Sequence, residues 1–599
     1  MIISAVSLWK KYEIKTPHDD EEWGVELIDG VRYSHVSYEG HVVEDGAVRI
    51  YARFSRPITK HAVKLPTLLL LPDLGKRADD SLLTYFNKKG YAVLALDYCS
   101  LDAEEEKMHT VFPPSLYYGE YDSARGLYDM ENLPVDKSSW FEWTHVALTS
   151  IEYLKTRRDV GNIGVIGFGL GGELCWPTMF SSDIKCGIPV NAVGWLSFRN
   201  APKFGAGIER NMKDDRLRYI AAIEAQSYAP YVKCPVLMLC AMRDKGVDCD
   251  RAYDTYTRIG VEDVLNDVDE DKFDLPELRK TSSKLDRQHI ALRVGKGRRA
   301  LVYSSESGGC IDGYSLHDID LFLEKHLLGR EIFIPNTLHI KMKENVGGGV
   351  EIKVRGDEDG LIEEIGIYYA EGDADSRAAY RDWRCVYKTK SSAEARGEIV
   401  YKTKPFAASK GVFAYAYAKY FNGFYVSSRI SCIQLVNPNP AVLRNRMLYS
   451  GTEKEAFTIA DYNSYSVDGV LLKEKTQPVK SLGYGGISGV YAVGGVCCYR
   501  LSNPEFYPPE DSILQFQVYS AEEQWIKVTV EPSGRQEERY SATVFVEGGG
   551  KWKSVMLEPL RLKGEQSGRP LESFRQGSAL TFACAEEEKE FVITNVLWL

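Results

Sequence analysis

Ile163-Gly164-Val165-Ile166-Gly167-Phe168-Gly169-Leu170-Gly171-Gly172 is the stretch whose reading decides the fold. Its first half is a short apolar run with the texture of a strand buried on both faces. Its second half is crowded with glycine, and residues 173–180 read as a helix. Strand, tight turn and helix in that order are the setting of G-x-S-x-G, where a nucleophile sits in a strained turn at the top of a sheet. Gly167 and Gly171 stand at the flanking positions, where a Cβ would collide with neighbouring backbone. The central position is Gly169, which accepts the turn conformation without strain and brings no hydroxyl.

The same residues also spell G-x-G-x-x-G, the phosphate-binding turn of dinucleotide sites. That motif opens the first strand–helix unit of its domain and has an acidic residue about 20 positions on. Here several strand–helix units come first, and Asp183 follows only a short helix. The context favours the strand–nucleophile–helix turn.

Outward from this turn, apolar strands without alternation recur: Thr67–Pro72, Ala92–Asp97, Ala192–Leu196, Pro235–Cys240 and Ala300–Tyr303. Helical stretches at 80–89, 140–157, 250–259 and 313–328 separate them. Such alternation predicts a mostly parallel sheet with helices on both faces. A hairpin precedes it, with strands in 33–40 and 42–54 and a turn signal at Asp45-Gly46. Residues 261–298 form an acidic, Lys/Arg-mixed insertion, and its run Asp267–Asp271 reads as a solvated loop rather than a calcium site.

After Pro335 helical periodicity gives way to short alternating strands such as 338–342, 350–354, 365–369, 412–417 and 430–435. About seven strands in about 100 residues predict an immunoglobulin- or fibronectin-like β-sandwich over 335–436. Asn437-Pro438-Asn439-Pro440 reads as a linker. Longer alternating strands over 445–599 predict a jelly-roll-like sandwich. The expected division is therefore 1–330, 335–436 and 445–599.

Residues 33–330 resemble the dienelactone-hydrolase and acetyl-xylan-esterase group of α/β hydrolases. The resemblance rests on the N-terminal hairpin, the loop Leu71-Pro72-Asp73-Leu74-Gly75, the glycine-rich elbow, and Tyr228–Leu237 leading into an acidic loop. It implies hydrolysis of acylated sugars or related small esters by Ser, Asp and His in that chain order. Carried over position by position, Gly169 stands at the nucleophile. Asp244 stands at the acid, with a loop or capping carboxylate as its plainer reading. The backbone N–H groups of Leu74 and Leu170 are the oxyanion-hole candidates, and they are independent of side chain. The loop 304–312 that should carry the base holds no histidine. Cys310 stands about where the base should precede the helix, and His317 lies in the first turn beyond it, either reaching the site or covering the helix end. His289, Ser307 and Cys175 have no positional argument behind them.

Two further readings concern ligands. By analogy with jelly rolls attached to esterase-like domains, Trp525 and Trp552, with Tyr484, Tyr491 and Tyr540, are candidates for stacking on sugar rings; core or edge packing is their plainer reading. Loops such as Gly356–Gly360 read as turns rather than calcium sites. No cofactor or metal is expected.

Composition bounds the rest. The 599 residues carry a net charge of −11, which argues against a nucleic-acid partner. No run of about 20 apolar residues exists, so no membrane span is expected. The start, Met1–Lys11, lacks a signal peptide's basic flank and cleavage site, which makes a cytoplasmic home the expectation. Twelve scattered cysteines read as reduced thiols. The sequence therefore supports an esterase architecture without its reaction, binding a small-molecule or carbohydrate ligand. An active hydrolase with a non-standard nucleophile or activated water, and an oligomeric assembly protein, are the competing readings.

Overall fold

The computed structural model describes residues 3–101, 107–198, 201–205, 213–260, 298–304, 313–356, 361–389, 398–406, 411–436, 444–453, 456–460, 479–482, 484–492, 494–532, 538–585 and 589–599. The insertion 261–297 and the loop 305–312 lie outside them, and with them Asp267–Asp271, His289, Ser307 and Cys310.

The N-terminal region is built on a nine-stranded sheet in the order β1-β2-β3-β5-β4-β6-β7-β8-β9. The strands are β1 Glu21–Ile28, β2 Val31–Val43, β3 Gly46–Pro57, β4 Leu65–Leu71, β5 Ala92–Asp97, β6 Val160–Phe168, β7 Ile184–Val190, β8 Val236–Ala241 and β9 Arg299–Ser304. β1, β2, β3 and β5 pair antiparallel, and β5 through β9 pair parallel. The helices are α1 Ala5–Trp9, α2 Asp80–Lys88, α3 Ser139–Thr156, α4 Gly169–Thr178, α5 Asp214–Ala222, α6 Ala225–Tyr228, α7 Cys249–Tyr256 and α8 Gly313–His326. The strands β4, β5, β6 and β8 are apolar because both faces are covered. Leu69 and Leu71 pack with Trp143, Val146 and Trp176 on one side, while Leu68 and Leu70 pack with Leu83, Phe86 and Phe322 on the other. Asp79 and Ser138 cap α2 and α3 by accepting the N–H groups of Ser81 and Phe141.

Two strands differ from the expectation. The run Ala192–Leu196 is a loop, and the strand of that unit is β7, eight residues earlier. Asn191, Gly194 and Trp195 all have left-handed φ, which no strand tolerates. β7 was hidden because Pro189 and Gly187 weaken a strand signal; Pro189 lies opposite Gly167 in the parallel ladder. β1 was missed because its residues are almost all exposed and show no alternation.

Beyond α8 the strands among the described residues form four antiparallel sheets. A first pair holds β10 His339–Glu344, β11 Val350–Arg355 and β14 Ile399–Thr403 in one sheet. The other contains β12 Ile362–Gly372, β13 Arg384–Thr389, β15 Gly411–Tyr420, β16 Tyr425–Ser427 and β17 Ser431–Gln434. A second pair of six-stranded sheets follows, β20-β21-β29-β23-β26 with β18, and β19-β22-β28-β24-β25-β27. Here β18 is Met447–Tyr449, β19 Thr458–Ile459, β20 Val479–Leu482, β21 Ser488–Tyr491, β22 Val496–Cys498 and β23 Leu514–Ser520. The remaining strands are β24 Gln524–Glu531, β25 Tyr540–Val546, β26 Lys551–Leu557, β27 Lys563–Gly564, β28 Ala579–Cys584 and β29 Val592–Trp598.

The middle sheets share a core with the parallel sheet rather than hanging from a linker. Phe413, Tyr415 and Trp383 pack into the same cluster as Tyr303, and the Tyr303 N–H donates to Ser427 Oγ at 2.9 Å. Arg381, fully buried, grips Asp250 of α7 through two hydrogen bonds of 2.6 and 2.8 Å. Removing one partner leaves an uncompensated buried charge, which costs about 3–5 kcal/mol. Thermal unfolding of the full chain is expected to show that loss for Arg381→Ala. Arg381→Met with Asp250→Leu, which removes both charges, is expected to recover most of it.

Candidate functional site

β6 runs straight into α4, and Gly169 is the first residue of the helix, with φ +53°. The sharpness of the turn depends on missing Cβ atoms. One at Gly171 would overlap Pro72 O and come within 2.5 Å of Leu71 O, and one at Gly167 would lie 2.7 Å from Cys175 Sγ. The expected helix at 173–180 therefore begins four residues earlier, directly at the turn. Cys175 is fully buried beneath it, and burial pushes its thiol up. It is a packing residue.

The close approach of Gly171 to the end of β4 brings the loop after Leu71 over the elbow. The N–H groups of Leu74 and Leu170 converge on one atom, Asp73 Oδ1, each at 2.9 Å. These are the two amides that the sequence singles out for an oxyanion hole. What they hold is a carboxylate of the same chain. A Cβ at Gly169 would overlap Asp73 Oδ1 and lie 2.5 Å from Asp73 Cγ. The Asp73 carboxyl thus fills the volume that a nucleophile side chain would enter. Asp73 was missed in the sequence because a carboxylate after a strand reads as an ordinary loop residue; the signal available was its place beside Leu74.

Asp244 lies on the loop after β8, and its Oδ1 accepts the Gly246 N–H at 2.7 Å. Burial pushes its carboxyl up to about 6, and the neighbouring charge of Asp73 adds to this, while Arg377 and Lys76 oppose it. This loop is fastened to the β regions. The Arg243 guanidinium lies 3.9 Å over the Tyr499 ring and donates to Ala379 O and Arg381 O. Lys245 pairs with Glu531 at 2.5 Å, and Arg377 donates to Lys245 O.

The loop after β7 is held by buried acids and amides. The Gly194 N–H donates to Glu173, the Trp195 N–H to Gln226 and the Ser197 N–H to Glu224, at 2.7–3.0 Å. Burial raises the Glu173 carboxyl to about 8, so it is neutral at pH 7. These side chains shape the loop rather than face a reactant.

His317 does not join the elbow. Its Nε2 lies 3.2 Å from Asn422 O in the turn between β15 and β16, and a Cβ on Gly423 would overlap its ring. The first turn of α8 points it at the neighbouring domain, which corrects its place among the candidate catalytic groups. Cys310 lies outside the described residues.

Of the aromatic candidates, Trp525 is 45% exposed and forms a pair with Phe545, 46% exposed, ring centroids 5.2 Å apart. Trp552 is half-buried against Tyr519. The two tryptophans lie on different sheets, β24 and β26, and do not form one surface. Tyr540 is buried, Tyr491 half-buried, and the Tyr484 side chain lies outside the described residues, as does 357–360. Among the described residues no group of three or more His, Cys, Asp or Glu is placed to hold a metal ion, and no helix is long and apolar enough to cross a membrane.

The strand order, the antiparallel start and the elbow after β6 define an α/β-hydrolase-like N-terminal region, followed by antiparallel β-sheets. No family model matches the chain, and no curated protein does. Among solved structures, the chain is similar to an acetyl xylan esterase from Paenibacillus sp. R4, at 15% identity over 54% of this chain and 92% of that one, TM-score 0.35. An acylaminoacyl peptidase from Pyrococcus horikoshii aligns at 16% identity over 55% of this chain and 44% of its own, TM-score 0.32. A glucuronoyl esterase from Teredinibacter turnerae T7901 aligns at 12% over 42% and 68%, TM-score 0.28.

The raised Asp244 carboxyl sets a pH dependence. In the unfolded chain it ionises near 4, and in the folded chain near 6, so between these values the native state binds the extra proton. Stability contributed by this group therefore falls as pH rises from about 4 to 6 and stays low above. Asp244→Asn keeps an acceptor for Gly246 and removes the ionisation. It is expected to raise the melting temperature at pH 7.5 by more than at pH 4, read by thermal unfolding at both.

Proposed function

We propose that this chain is an esterase-architecture protein that no longer runs serine ester chemistry and serves as a binding protein for a carbohydrate or other small ligand. The observation that carries the reading is the Asp73 carboxylate in the oxyanion hole above Gly169. Loss of a triad nucleophile alone costs on the order of 10⁶ in kcat. A free hole would still polarise a carbonyl, and each of its donors is worth about 10²–10³. Here both donors are already satisfied by an anion. Charge-assisted hydrogen bonds of this kind contribute roughly 1.5–3 kcal/mol each, so an ester carbonyl, which is neutral, competes poorly for them. His317 turned toward Asn422 removes one source of a base.

The ligand side of the reading rests on the exposed Trp525–Phe545 pair, which offers an apolar platform to a pyranose ring. The last two sheets are read as a jelly-roll-like module around that platform, and the middle sheets as an immunoglobulin-like spacer that fastens it to the loop after β8.

Two assays test this. Hydrolysis of 4-nitrophenyl acetate and acetylated xylo-oligosaccharide by the full chain is expected to stay at the buffer rate. Turnover that disappears on Asp244→Ala would establish the active-hydrolase reading instead. Gly169→Ser alone is expected to remain inactive, because His317 is turned toward Asn422 and does not stand beside the new serine as a base. On a glycan array, binding by the wild-type chain is expected to weaken by about tenfold or more in Trp525→Ala. An array with no binder at all, or one indifferent to Trp525, sinks the carbohydrate assignment.

A further inference from the structure

Beyond its Cα, an aspartate side chain is an acetate unit. Asp73 places that unit with one oxygen shared between two amides from different elements, Leu74 in the loop after β4 and Leu170 in the first turn of α4. The arrangement has the polarity of a built carboxylate site: two convergent N–H donors, one of them at the positive end of a ten-residue helix. Room for the carboxyl exists only because residue 169 has no Cβ, since a Cβ there would overlap Oδ1. Gly169 and Asp73 are therefore one device. Either change alone has a cost: a side chain at 169 expels the carboxylate, and a shorter residue at 73 leaves two part-buried donors without their acceptor.

We propose that the oxyanion hole of this protein is a carboxylate-binding site closed by a tethered occupant, Asp73, and that emptying it opens the hole to a free small carboxylate. This rests on the elbow assignment and extends the silent reading: the hole retains its donors and is closed by occupancy rather than by collapse. No covalent step is involved. The consequence for the wild-type chain is selectivity, because any cleft ligand must leave this pocket untouched, so the acyl group of an ester has no seat there.

The test uses two variants of the full chain: Asp73→Ala, which empties the hole, and Asp73→Ala with Gly169→Ala, whose added Cβ occupies the position of the carboxylate oxygen again. Sodium acetate, with sodium chloride at equal ionic strength as control, is titrated while the melting temperature is recorded. A ligand that binds only the native state raises the melting temperature saturably. Acetate is expected to raise it in Asp73→Ala by at least about 2 °C above chloride, and to leave the wild type and the double variant unmoved. In a double-mutant cycle, Gly169→Ala is expected to cost less in the Asp73→Ala background than in the wild type, because the overlap is gone. The proposal falls if acetate acts no better than chloride on folded Asp73→Ala, or if the wild type or the double variant responds as it does. Should Asp73→Ala not fold, Asp73→Gly, which also lacks the carboxyl, decides by the same readout. Ester turnover is scored separately on the wild type, so the silent reading fails by activity and the carboxylate site fails by missing acetate capture.

Discussion

The approach of Gly171 to the backbone of Leu71 and Pro72 organises everything at the top of the parallel sheet. Carbonyl oxygens of β4's end lie where a Cβ would be, so β4 and the β6–α4 turn are locked at backbone contact. That contact delivers the loop carrying Asp73 and Leu74 to the first turn of α4. Two amides then point at one place, and the part-buried pair of donors shares one acceptor. That acceptor is Asp73, part of the same chain. The left-handed φ of Gly169, without a Cβ, is what lets the acceptor in. One missing side chain thus accounts both for the lack of a hydroxyl at the elbow and for the seating of Asp73 on its two amides.

The loop after β8, which carries Asp244, is fastened from several sides. In this chain it is where three parts of the molecule meet: Arg243 stacks on Tyr499, Lys245 pairs with Glu531, and Arg381 holds Asp250. Each charge is buried or half-buried and each has a partner, as the low-dielectric interior requires. Asp244 remains among them with a carboxyl raised by burial, next to Arg377 from the middle sheets. Through these contacts the loop joins the β regions to the end of the parallel sheet.

Most of the architecture was legible along the chain. Apolar strands without alternation marked the parallel sheet, and the change to alternating strands after Pro335 marked the antiparallel sheets. Boundaries held within a few residues for β4, β5, β8, β9, β11 and β15. The errors have physical causes. Ala192–Leu196 is as apolar as a strand, yet it is buried as a loop in which the Gly194 and Trp195 amides donate to Glu173 and Gln226 rather than to a ladder, and the Ser197 amide just beyond donates to Glu224. β7 was concealed by Pro189, a residue that normally argues against a central strand.

What the sequence determined by itself was the elbow and its vacancy: glycine spacing after a buried strand specifies the turn, and the letter at 169 says that no hydroxyl is there. It also named Leu74 and Leu170, because oxyanion donors are backbone groups whose position follows from the strand ends. Only the tertiary structure decided what those donors hold and where His317 points. Asp73 and Leu170 are 97 positions apart, and nothing local distinguishes a loop aspartate that faces water from one seated on another element's amides. His317 and Asn422 are 105 apart. Such pairings are set by how β4, β6 and the middle sheets pack, which is a property of the assembled core and not of any segment's pattern.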